Sequence, residues 1–269
     1  MSEIKFRASS VANLMVEPKS KSDKEAGLLS ETAKTHAIDV WISYNYKRYE
    51  EVYSKYFEKG TAVEEDSITF LSLAKRRIFK KNEIRLENEV ILGTPDLFIG
   101  DEIVRATEII DIKSSWDIFT FNRTRAKGVN TNYYYQMQSY MMLTGAAKAT
   151  LSYCLVNATA DLLQDEKYRI ARAHRVTIDD MEPAFVKACA LVERNMIYDL
   201  PAFLKRNPNY NLHSSVTDWH YDVPAEERLF EFEIERSEEA IEGIYNKVIT
   251  ARKFLNEWSK FAQLNALFS

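Results

Sequence analysis

Two aspartates and one lysine lie where their side chains could act together on a bound ion. The segment Gly93–Ser115 reads GTPDLFIGDEIVRATEIIDIKSS, with Asp96 in a Pro-Asp pair and with Asp111 and Lys113 in its alternating second half. Because the side chains of a strand alternate between its two faces, Asp111 and Lys113 share one face. Charges in a buried sheet need partners, and Mg²⁺ and Mn²⁺ prefer carboxylate oxygens as ligands. The segment therefore indicates a metal site.

Phosphodiester hydrolysis is the chemistry that uses such a set of side chains. One bound cation can generate hydroxide from water, and a second, about 4 Å away, can hold the leaving oxygen. A lysine two residues from a metal ligand can orient the attacking water or neutralise charge on the phosphorus. The pattern is weak by itself, because a solvated edge strand with ordinary surface charges would read the same way.

The spacing of the two aspartates predicts the register of two strands. If the strands are antiparallel and Asp96 lies opposite Asp111, the centre of the hairpin falls in the middle of GDEIVRAT, residues 100–107. This arrangement requires a long turn or a bulge, because a tight turn at Gly100-Asp101 would not bring the two carboxylates together.

The surrounding sequence predicts helices on both sides of a strand-rich centre. The predicted helices cover 22–56, 60–79, 132–145, 178–199 and 238–267, and the predicted strands lie within 84–115, 149–158 and 228–235. Residues 1–20 read as irregular, and the basic stretch 122–131 reads as a loop. This order predicts an α/β core with added helices at both ends. A single domain over residues 1–269 is expected, because no Pro-, Gly- or Ser-rich linker divides the chain.

Two further spacings flank the aspartates. Gly60, at the expected start of a helix, is followed four residues later by Glu64, and Gln136 and Tyr140 lie four residues apart on one helical face. Plain structural explanations stay open, since Glu64 also reads as an exposed helix charge and Gln136 as a solvated side chain. The tyrosines of the run 133–135 read more readily as packing than as a platform for stacking bases.

The order GxxxE, PD, DxK and QxxxY resembles the RecB-like branch of the PD-(D/E)XK nucleases. It is most similar to the phage recombination exonucleases of the lambda exonuclease and YqaJ type. The motif-bearing core spans about residues 59–157, and the N-terminal RASSVANLM resembles the TAS segment of those exonucleases. The resemblance implies a restriction-endonuclease-like fold, with a central mixed sheet flanked by helices and with added N- and C-terminal helices. The last third, an extension of helices and a strand over about residues 178–269, shows no motif of the family.

The resemblance also implies roles for the motif residues. Asp96 and Asp111 correspond to metal ligands, with the Ile112 carbonyl as a backbone ligand. Glu64 corresponds to a contributor to the metal site from the preceding helix, and lambda-like exonucleases carry glutamate there, whereas many RecB relatives carry histidine. Lys113 corresponds to the catalytic lysine. The implied cofactor is Mg²⁺, with Mn²⁺ as the alternative.

Other positions are implied as contacts to DNA. Gln136 would orient the ligands or the scissile strand, with Tyr140 supporting the same face. Ser9 corresponds to a contact to a terminal 5′-phosphate, and Arg7 is the candidate substitute for an arginine that those exonucleases carry several residues earlier. A basic run at 75–81 reads as a solvated helix face or as a strip along a DNA channel. The loop before the Gln136 helix offers further basic contacts close to the catalytic lysine, namely Arg123, Arg125 and Lys127.

The composition limits the partners and the location of the protein. The formal net charge of −4 argues mildly against DNA as a partner, although a basic groove on an acidic body escapes this objection. The two cysteines, Cys154 and Cys189, cannot build an iron–sulfur cluster. The N-terminus has no apolar signal core, and no apolar run approaches the length of a membrane span. We therefore expect no membrane partner and a location in the cytoplasm of a bacterial or phage-infected cell.

The function implied by the resemblance is metal-dependent hydrolysis of DNA. We expect a 5′→3′ exonuclease that acts on linear duplex ends and leaves a 3′ single strand for a single-strand annealing recombinase. Relatives close into rings around DNA, so a homo-oligomer is expected. The alternatives are a PD-(D/E)XK endonuclease and a DNA-binding or recombination-accessory protein with a weak or inactive nuclease site. A nuclease of the CRISPR-adaptation type is disfavoured, because such nucleases usually carry four cluster-binding cysteines.

Overall fold

A computed structural model describes residues 4–50, 54–206 and 222–266, with side chains described as far as residue 260. Its helices are Lys21–Glu25 (α1), Glu31–Tyr46 (α2), Lys55–Ala62 (α3), Glu64–Ala74 (α4), Ile118–Lys127 (α5), Thr131–Thr144 (α6), Ala160–His174 (α7), Pro183–Met196 (α8), Leu200–Arg206 (α9) and Glu238–Ala266 (α10). Its strands are Phe6–Arg7 (β1), Leu86–Glu87 (β2), Ile91–Gly93 (β3), Leu97–Ile99 (β4), Glu108–Ser114 (β5), Lys148–Cys154 (β6) and Leu229–Glu235 (β7). Short 3₁₀ helices cover Ala8–Asn13, Ile103–Arg105 and Ala225–Glu227.

The strands form two mixed sheets. The larger sheet has the order β4-β5-β6-β7, in which β5 and β6 are parallel and the two outer pairs are antiparallel. The smaller sheet has the order β1-β3-β2, with β1 parallel and β2 antiparallel to β3. The predicted α/β class with mixed strand directions is confirmed, although the strands that were expected in one sheet are divided between two.

The hairpin of β4 and β5 has the register that the two aspartates predict. Leu97 pairs with Ile110 and Ile99 pairs with Glu108. The same register, extended by one residue, places Asp96 opposite Asp111. The connection is long and contains the 3₁₀ helix Ile103–Arg105, and it begins at Gly100, whose φ of +146° favours glycine. The predicted long turn is therefore confirmed.

The larger sheet is covered by helices on both faces. On one face, Ile109 packs in a cluster with Met137 and Met141 of α6 and with residues of α10. On the other face, Ile110 and Ile112 pack with residues of α4 and α7. Strands buried on both faces need apolar side chains at nearly every position, so the charged residues of β5 on the α6 face are exceptions that need a reason.

The helical region predicted for 60–79 is wrong at its start and at its end. Two helices occupy it, because α3 begins at Lys55 and α4 runs from Glu64 to Ala74. The break between them is Val63, which has φ −121° and ψ 18°. Its side chain is 1% exposed and is buried in the hydrophobic cluster that contains Ile68 and Leu71 of α4. Burial of this β-branched side chain fixes a non-helical residue where the sequence pattern alone reads as continuous.

Other boundaries also differ from the predictions. The described part of the region 22–56 contains α1, α2 and the first two residues of α3, and the Ser30 side chain caps α2 by accepting a hydrogen bond from the Ala33 N–H. α7 was not predicted, α8 is shorter than the predicted helix at 178–199, and residues 6–13 contain β1 and a 3₁₀ helix. The predicted end of the last helix, residue 267, lies outside the described residues. None of the helices within the described ranges is long and apolar enough to cross a membrane.

Candidate active site

Asp96, Asp111 and Lys113 lie together on the α6 face of the larger sheet. Lys113 Nζ lies 2.5 Å from Asp111 Oδ2, and Asp96 Oδ2 accepts a hydrogen bond of 2.8 Å from the Ile112 N–H. The Asp111 side chain is 1% exposed and the Lys113 side chain 21% exposed. The strands therefore hold two carboxylates and one ammonium in a largely buried group, in which Asp96 and Lys113 are partly exposed.

The charges of this group shift one another's protonation. Burial raises the pKa of Asp96 to about 7, and the charge of Asp111 adds to the shift, while Lys113 and the Ile112 N–H oppose it. Burial alone would lower the pKa of Lys113, but Asp111 and Asp96 raise it above its usual value. One ammonium therefore does not neutralise two carboxylates, and the site favours a further cation.

The donor set fits a hard divalent cation. Asp111 Oδ2 is buried without a well-aligned hydrogen bond, even though the Lys113 ammonium lies close to it. A buried carboxylate oxygen needs such a partner, and a cation supplies one. Mg²⁺ commonly binds through one or two carboxylates and keeps waters and substrate phosphates as its other ligands. Across the described ranges no three His, Cys, Asp or Glu side chains gather closely enough to hold an ion by themselves. The Ile112 carbonyl as a third ligand beside the two aspartates stays a prediction.

Glu64 is the first residue of α4 and lies beside the two aspartates. It lines the same cavity as Asp96, and its charge contributes to the raised pKa of that carboxyl. Its Oε2 accepts a hydrogen bond of 2.6 Å from Lys81 Nζ, so the carboxylate already has a cationic partner. Glu64 as a metal ligand stays a prediction, and it would require the Lys81 ion pair to loosen.

Gln136 contacts Asp111 from α6, and Tyr140 on the same helix contacts Gln136. Gln136 Nε2 donates to Asp111 Oδ1 at 3.3 Å and to the Tyr140 hydroxyl at 3.0 Å. Both side chains are buried, so the alternative of a solvated Gln136 is excluded. The helical spacing of four residues thus places an amide where it fixes the orientation of one carboxylate.

Gly93, which was not singled out in the sequence, sets the position of Tyr140. A Cβ at Gly93 would lie 2.7 Å from Tyr140 Cε1 and 3.0 Å from the Ala8 Cβ. Such contacts do not occur between real atoms, so any side chain at this position must displace its neighbours. The close approach packs β3, the N-terminal 3₁₀ helix and α6 against one another.

Gly93→Ala is therefore expected to destabilise the fold by about 1–3 kcal/mol through overpacking. Displacement of Tyr140 should also weaken the hydrogen bond of Gln136 to Asp111. Denaturant unfolding measures the free energy, with Gly60→Ala as the matched control, because nothing lies within 4 Å of a Cβ at Gly60. Alanine in that helix should be neutral or stabilising by up to about 1 kcal/mol. Equal effects of the two substitutions would contradict the close packing at Gly93.

A cavity of about 880 Å³ lies over the aspartates and the lysine. One wall is α3, a second is the end of β5 with the residues that follow it, and a third is α5 with the segment that leads into α6. Lys113, Asp96 and Glu64 line the cavity, together with Tyr56, Phe57, Trp116, Lys127, Tyr133 and Tyr153. Its walls offer both charged groups and aromatic rings beside the candidate site.

The basic residues after β5 lie on a helix, so the prediction of a loop is wrong. Asp117 caps α5 by accepting a hydrogen bond from the Thr120 N–H, and Phe121 anchors the helix in the core. Gly128, with φ +80°, ends it. Lys127 lines the cavity, whereas the exposed Arg123 and Arg125 are not among its lining residues.

Arg7 and Ser9 flank Ala8, whose Cβ lies close to Gly93. Arg7 ends β1, and Ser9 belongs to the 3₁₀ helix that begins at Ala8. Both are exposed, and Ala8 reaches the Gly93–Tyr140 contact. The fold thus places the N-terminal segment beside the Gln136 end of the site, and the roles of Arg7 and Ser9 stay predictions.

Lys59 is a buried ionisable group whose burial no sequence pattern indicates. Its side chain is fully buried, and Nζ donates to the Trp116 carbonyl oxygen at 2.9 Å. Burial lowers the pKa of Lys59 to about 7, with a partial opposing effect of Asp117. The bond joins α3 to the segment that follows Lys113, so a single lysine ties two walls of the cavity together. A lysine beside a Gly-Thr pair gives no signal of burial in the sequence.

Lys59→Met is expected to change the pH dependence of stability. Between the lowered pKa and the ordinary value of 10.5, the folded chain binds fewer protons than the unfolded chain, so Lys59 makes stability rise with pH. The slope contributed by this group is about 1 kcal/mol per pH unit at most. Denaturant unfolding from neutral pH to about pH 10 should show a smaller slope in the variant, and Lys80→Met at an exposed lysine should keep the wild-type slope. Identical slopes in all three proteins would contradict the burial of Lys59 as an uncharged amine.

Comparison with known proteins gives a likeness in structure. No family model matches the chain, and no curated protein matches it in sequence. A phage-related exonuclease from Haemophilus somnus 129PT is 26% identical with a TM-score of 0.66, over 99% of this chain and 97% of that one. An alkaline exonuclease from Laribacter hongkongensis is 15% identical with a TM-score of 0.58, over 99% and 95% of the two chains. The structure of that alkaline exonuclease in complex with dAMP is likewise 15% identical, with a TM-score of 0.57. The chain thus shares the restriction-endonuclease-like fold of these exonucleases, which confirms the predicted fold class.

Proposed function

We propose that the protein is a metal-dependent DNA exonuclease whose centre is formed by Asp96, Asp111 and Lys113. The observation that carries the proposal is the meeting of the two aspartates across β4 and β5, with the lysine on the same face and at the floor of a cavity. The likeness to a phage-related exonuclease over almost the whole of both chains supports it. Lys113 alone neutralises only one of the two carboxylates, and a bound cation would balance the other.

The aspartates and the Ile112 carbonyl would hold Mg²⁺ or Mn²⁺. When bound, such an ion lowers the pKa of water and neutralises charge on a phosphate. Gln136 keeps the Asp111 carboxylate in one orientation through its amide. Glu64, at the start of α4, is positioned to contribute once its pair with Lys81 opens.

Lys113 would act on the reacting phosphate. Its ammonium lies beside Asp111, and its side chain is 21% exposed and lines the cavity, so a phosphate in the cavity would reach it directly. Water attacks phosphorus in line as the bond between phosphorus and the 3′ oxygen breaks. The 3′ oxygen takes up a proton and leaves with the terminal nucleotide, while the attacked phosphate stays as the new 5′-phosphate of the shortened strand. The lysine stabilises the charge that grows on the phosphoryl oxygens during this step.

We propose the polarity as 5′→3′, with a 3′ single strand left for a single-strand annealing recombinase. The N-terminal segment approaches the site through Ala8, which lies at the Gly93–Tyr140 contact, and this position supports a contact of its neighbours Ser9 and Arg7 to a terminal 5′-phosphate. By the same resemblance to lambda-type exonucleases, the working form would be a homo-oligomeric ring around duplex DNA in the cytoplasm. Lys127, Arg123 and Arg125 on α5 would contact the DNA backbone.

Three DNA substrates test the proposal. They are linear duplex with a 5′-phosphate, linear duplex without one, and covalently closed circles, each with Mg²⁺ and with a chelator. We expect degradation of linear DNA only, faster with the 5′-phosphate and dependent on the metal. Cutting of closed circles would indicate an endonuclease instead. Inertness towards every DNA, in Mg²⁺ and in Mn²⁺, would indicate a binding or accessory protein.

A further inference from the structure

Tyr153 has a buried hydroxyl group that the catalytic set does not use. The residue lies on β6 directly beside Lys113 of β5, because the parallel register pairs these two positions. Neighbouring residues in register project to the same face of a sheet, so Tyr153 belongs to the face that carries Asp111 and Lys113. It is also one of the residues that line the cavity.

The ring of Tyr153 is fixed by aromatic neighbours. It stacks on Phe230 with a centroid distance of 4.8 Å and an interplanar angle of 10°, and it meets Phe232 edge-on at 5.9 Å. On the cavity side Tyr133 lies 6.5 Å away, and the Tyr133 ring in turn lies 4.5 Å from Lys113 Nζ. A phenylalanine would keep all of these ring contacts.

The hydroxyl has no partner among the described residues. Tyr153 is 5% exposed, and its hydroxyl oxygen makes no hydrogen bond there. A buried tyrosine hydroxyl usually finds a partner, because its desolvation otherwise opposes folding. Burial, with smaller effects of Tyr133 and Asp111, raises the pKa of Tyr153, so the phenol keeps its proton and is a hydrogen-bond donor at all working pH values.

The groups around this hydroxyl favour an anion as the missing partner. Lys113 contributes an ammonium, and the first turn of α6, with Asn130 and Thr131, lines the same cavity. The N–H groups at a helix N-terminus attract phosphate. We propose that the Tyr153 hydroxyl and the N-terminus of α6 form a subsite, beside Lys113, that binds a phosphodiester of the DNA strand next to the scissile phosphate. The inference rests on the proposed nuclease function and adds to it a binding residue on β6.

Tyr153→Phe tests the subsite without loss of packing. We expect kcat/KM on linear duplex DNA to fall by about 10- to 100-fold, the effect of removing a hydrogen bond to a charged group. The melting temperature should stay the same or rise, because the variant removes an unpaired buried hydroxyl. The matched control is Tyr198→Phe, whose lost hydroxyl donates to the Asn195 carbonyl oxygen at 2.9 Å. That variant should melt at a lower temperature and keep its activity.

Substrates with one methylphosphonate identify the contacted phosphate. The methylphosphonate removes the charge of a single phosphate. A series of substrates carries it at successive positions along the strand that is degraded. At the contacted position the wild-type enzyme should lose rate, whereas Tyr153→Phe should lose little more than it has lost already. Wild-type rates in Tyr153→Phe, or equal losses in both proteins at every position, would overturn the subsite. An inactive wild-type protein would instead overturn the proposed function, so the two failures are distinguishable.

Discussion

Lys113→Ala is expected to reduce turnover on linear duplex DNA by about 10²- to 10⁴-fold while metal binding persists. The reason is the position of the ammonium, which is partly exposed and lines the cavity. Both aspartates stay in place in the variant, so the carboxylate oxygens that would hold the cation are unchanged. Single-turnover rates report the first part of the prediction, and a calorimetric titration with Mg²⁺ reports the second.

The matched control for this substitution is Lys148→Ala. Lys148 begins β6 in the same sheet, but its side chain is only partly exposed and pairs with Glu108 at 3.1 Å, away from the residues that line the cavity. Its removal should leave the rate within a factor of about two, as expected for a surface ion pair. A Lys113→Ala variant that turns over DNA as fast as Lys148→Ala would show that Lys113 has no catalytic role.

Asp111→Asn is expected to abolish nearly all activity, with a loss of about 10³-fold or more. The amide oxygen of asparagine still accepts the hydrogen bond from Gln136, so the local structure is preserved. One carboxylate is lost from the set that fits a cation, and the repulsion of Asp96 by a second buried charge is relieved. Without metal, the variant should therefore melt near the melting temperature of the wild type. Mg²⁺ should raise the melting temperature of the wild type but not that of the variant.

Asp101→Asn provides the comparison for Asp111→Asn. Asp101 is exposed in the connection between the same two strands, so the chemical change is identical while the carboxylate lies outside the buried group. We expect full activity and a normal thermal response to Mg²⁺. If Asp111→Asn behaved like Asp101→Asn in both measurements, the carboxylate of Asp111 would not be part of a metal site.

The centre of the site could be predicted from the sequence, because short-range periods determine it. A strand period of two places Asp111 and Lys113 on one face, and the register required by Asp96 is the register that β4 and β5 adopt. The spacing of Gln136 and Tyr140 likewise corresponds to one face of α6, where both side chains contact each other. These predictions succeed because the residues concerned lie within regular elements.

The elements around the centre could not be predicted in the same way. The break at Val63 depends on burial against another part of the chain, and the helix that contains Arg123 depends on a cap by Asp117 and an anchor in the core. The burial of Lys59 and of the Tyr153 hydroxyl arises from tertiary packing over long sequence separations. Neither local propensity nor spacing carries this information.

The most direct test of the account is the release of nucleotides from a uniformly labelled linear duplex in Mg²⁺, by the wild-type protein and by Asp111→Asn prepared in the same way. We expect the wild type to release nucleotides until a chelator is added, and we expect the variant to release none above background. Equal release by both proteins would place the activity outside the aspartate site. If the wild type released no nucleotides in Mg²⁺ and none in Mn²⁺, that result would contradict a nuclease centre at Asp96, Asp111 and Lys113.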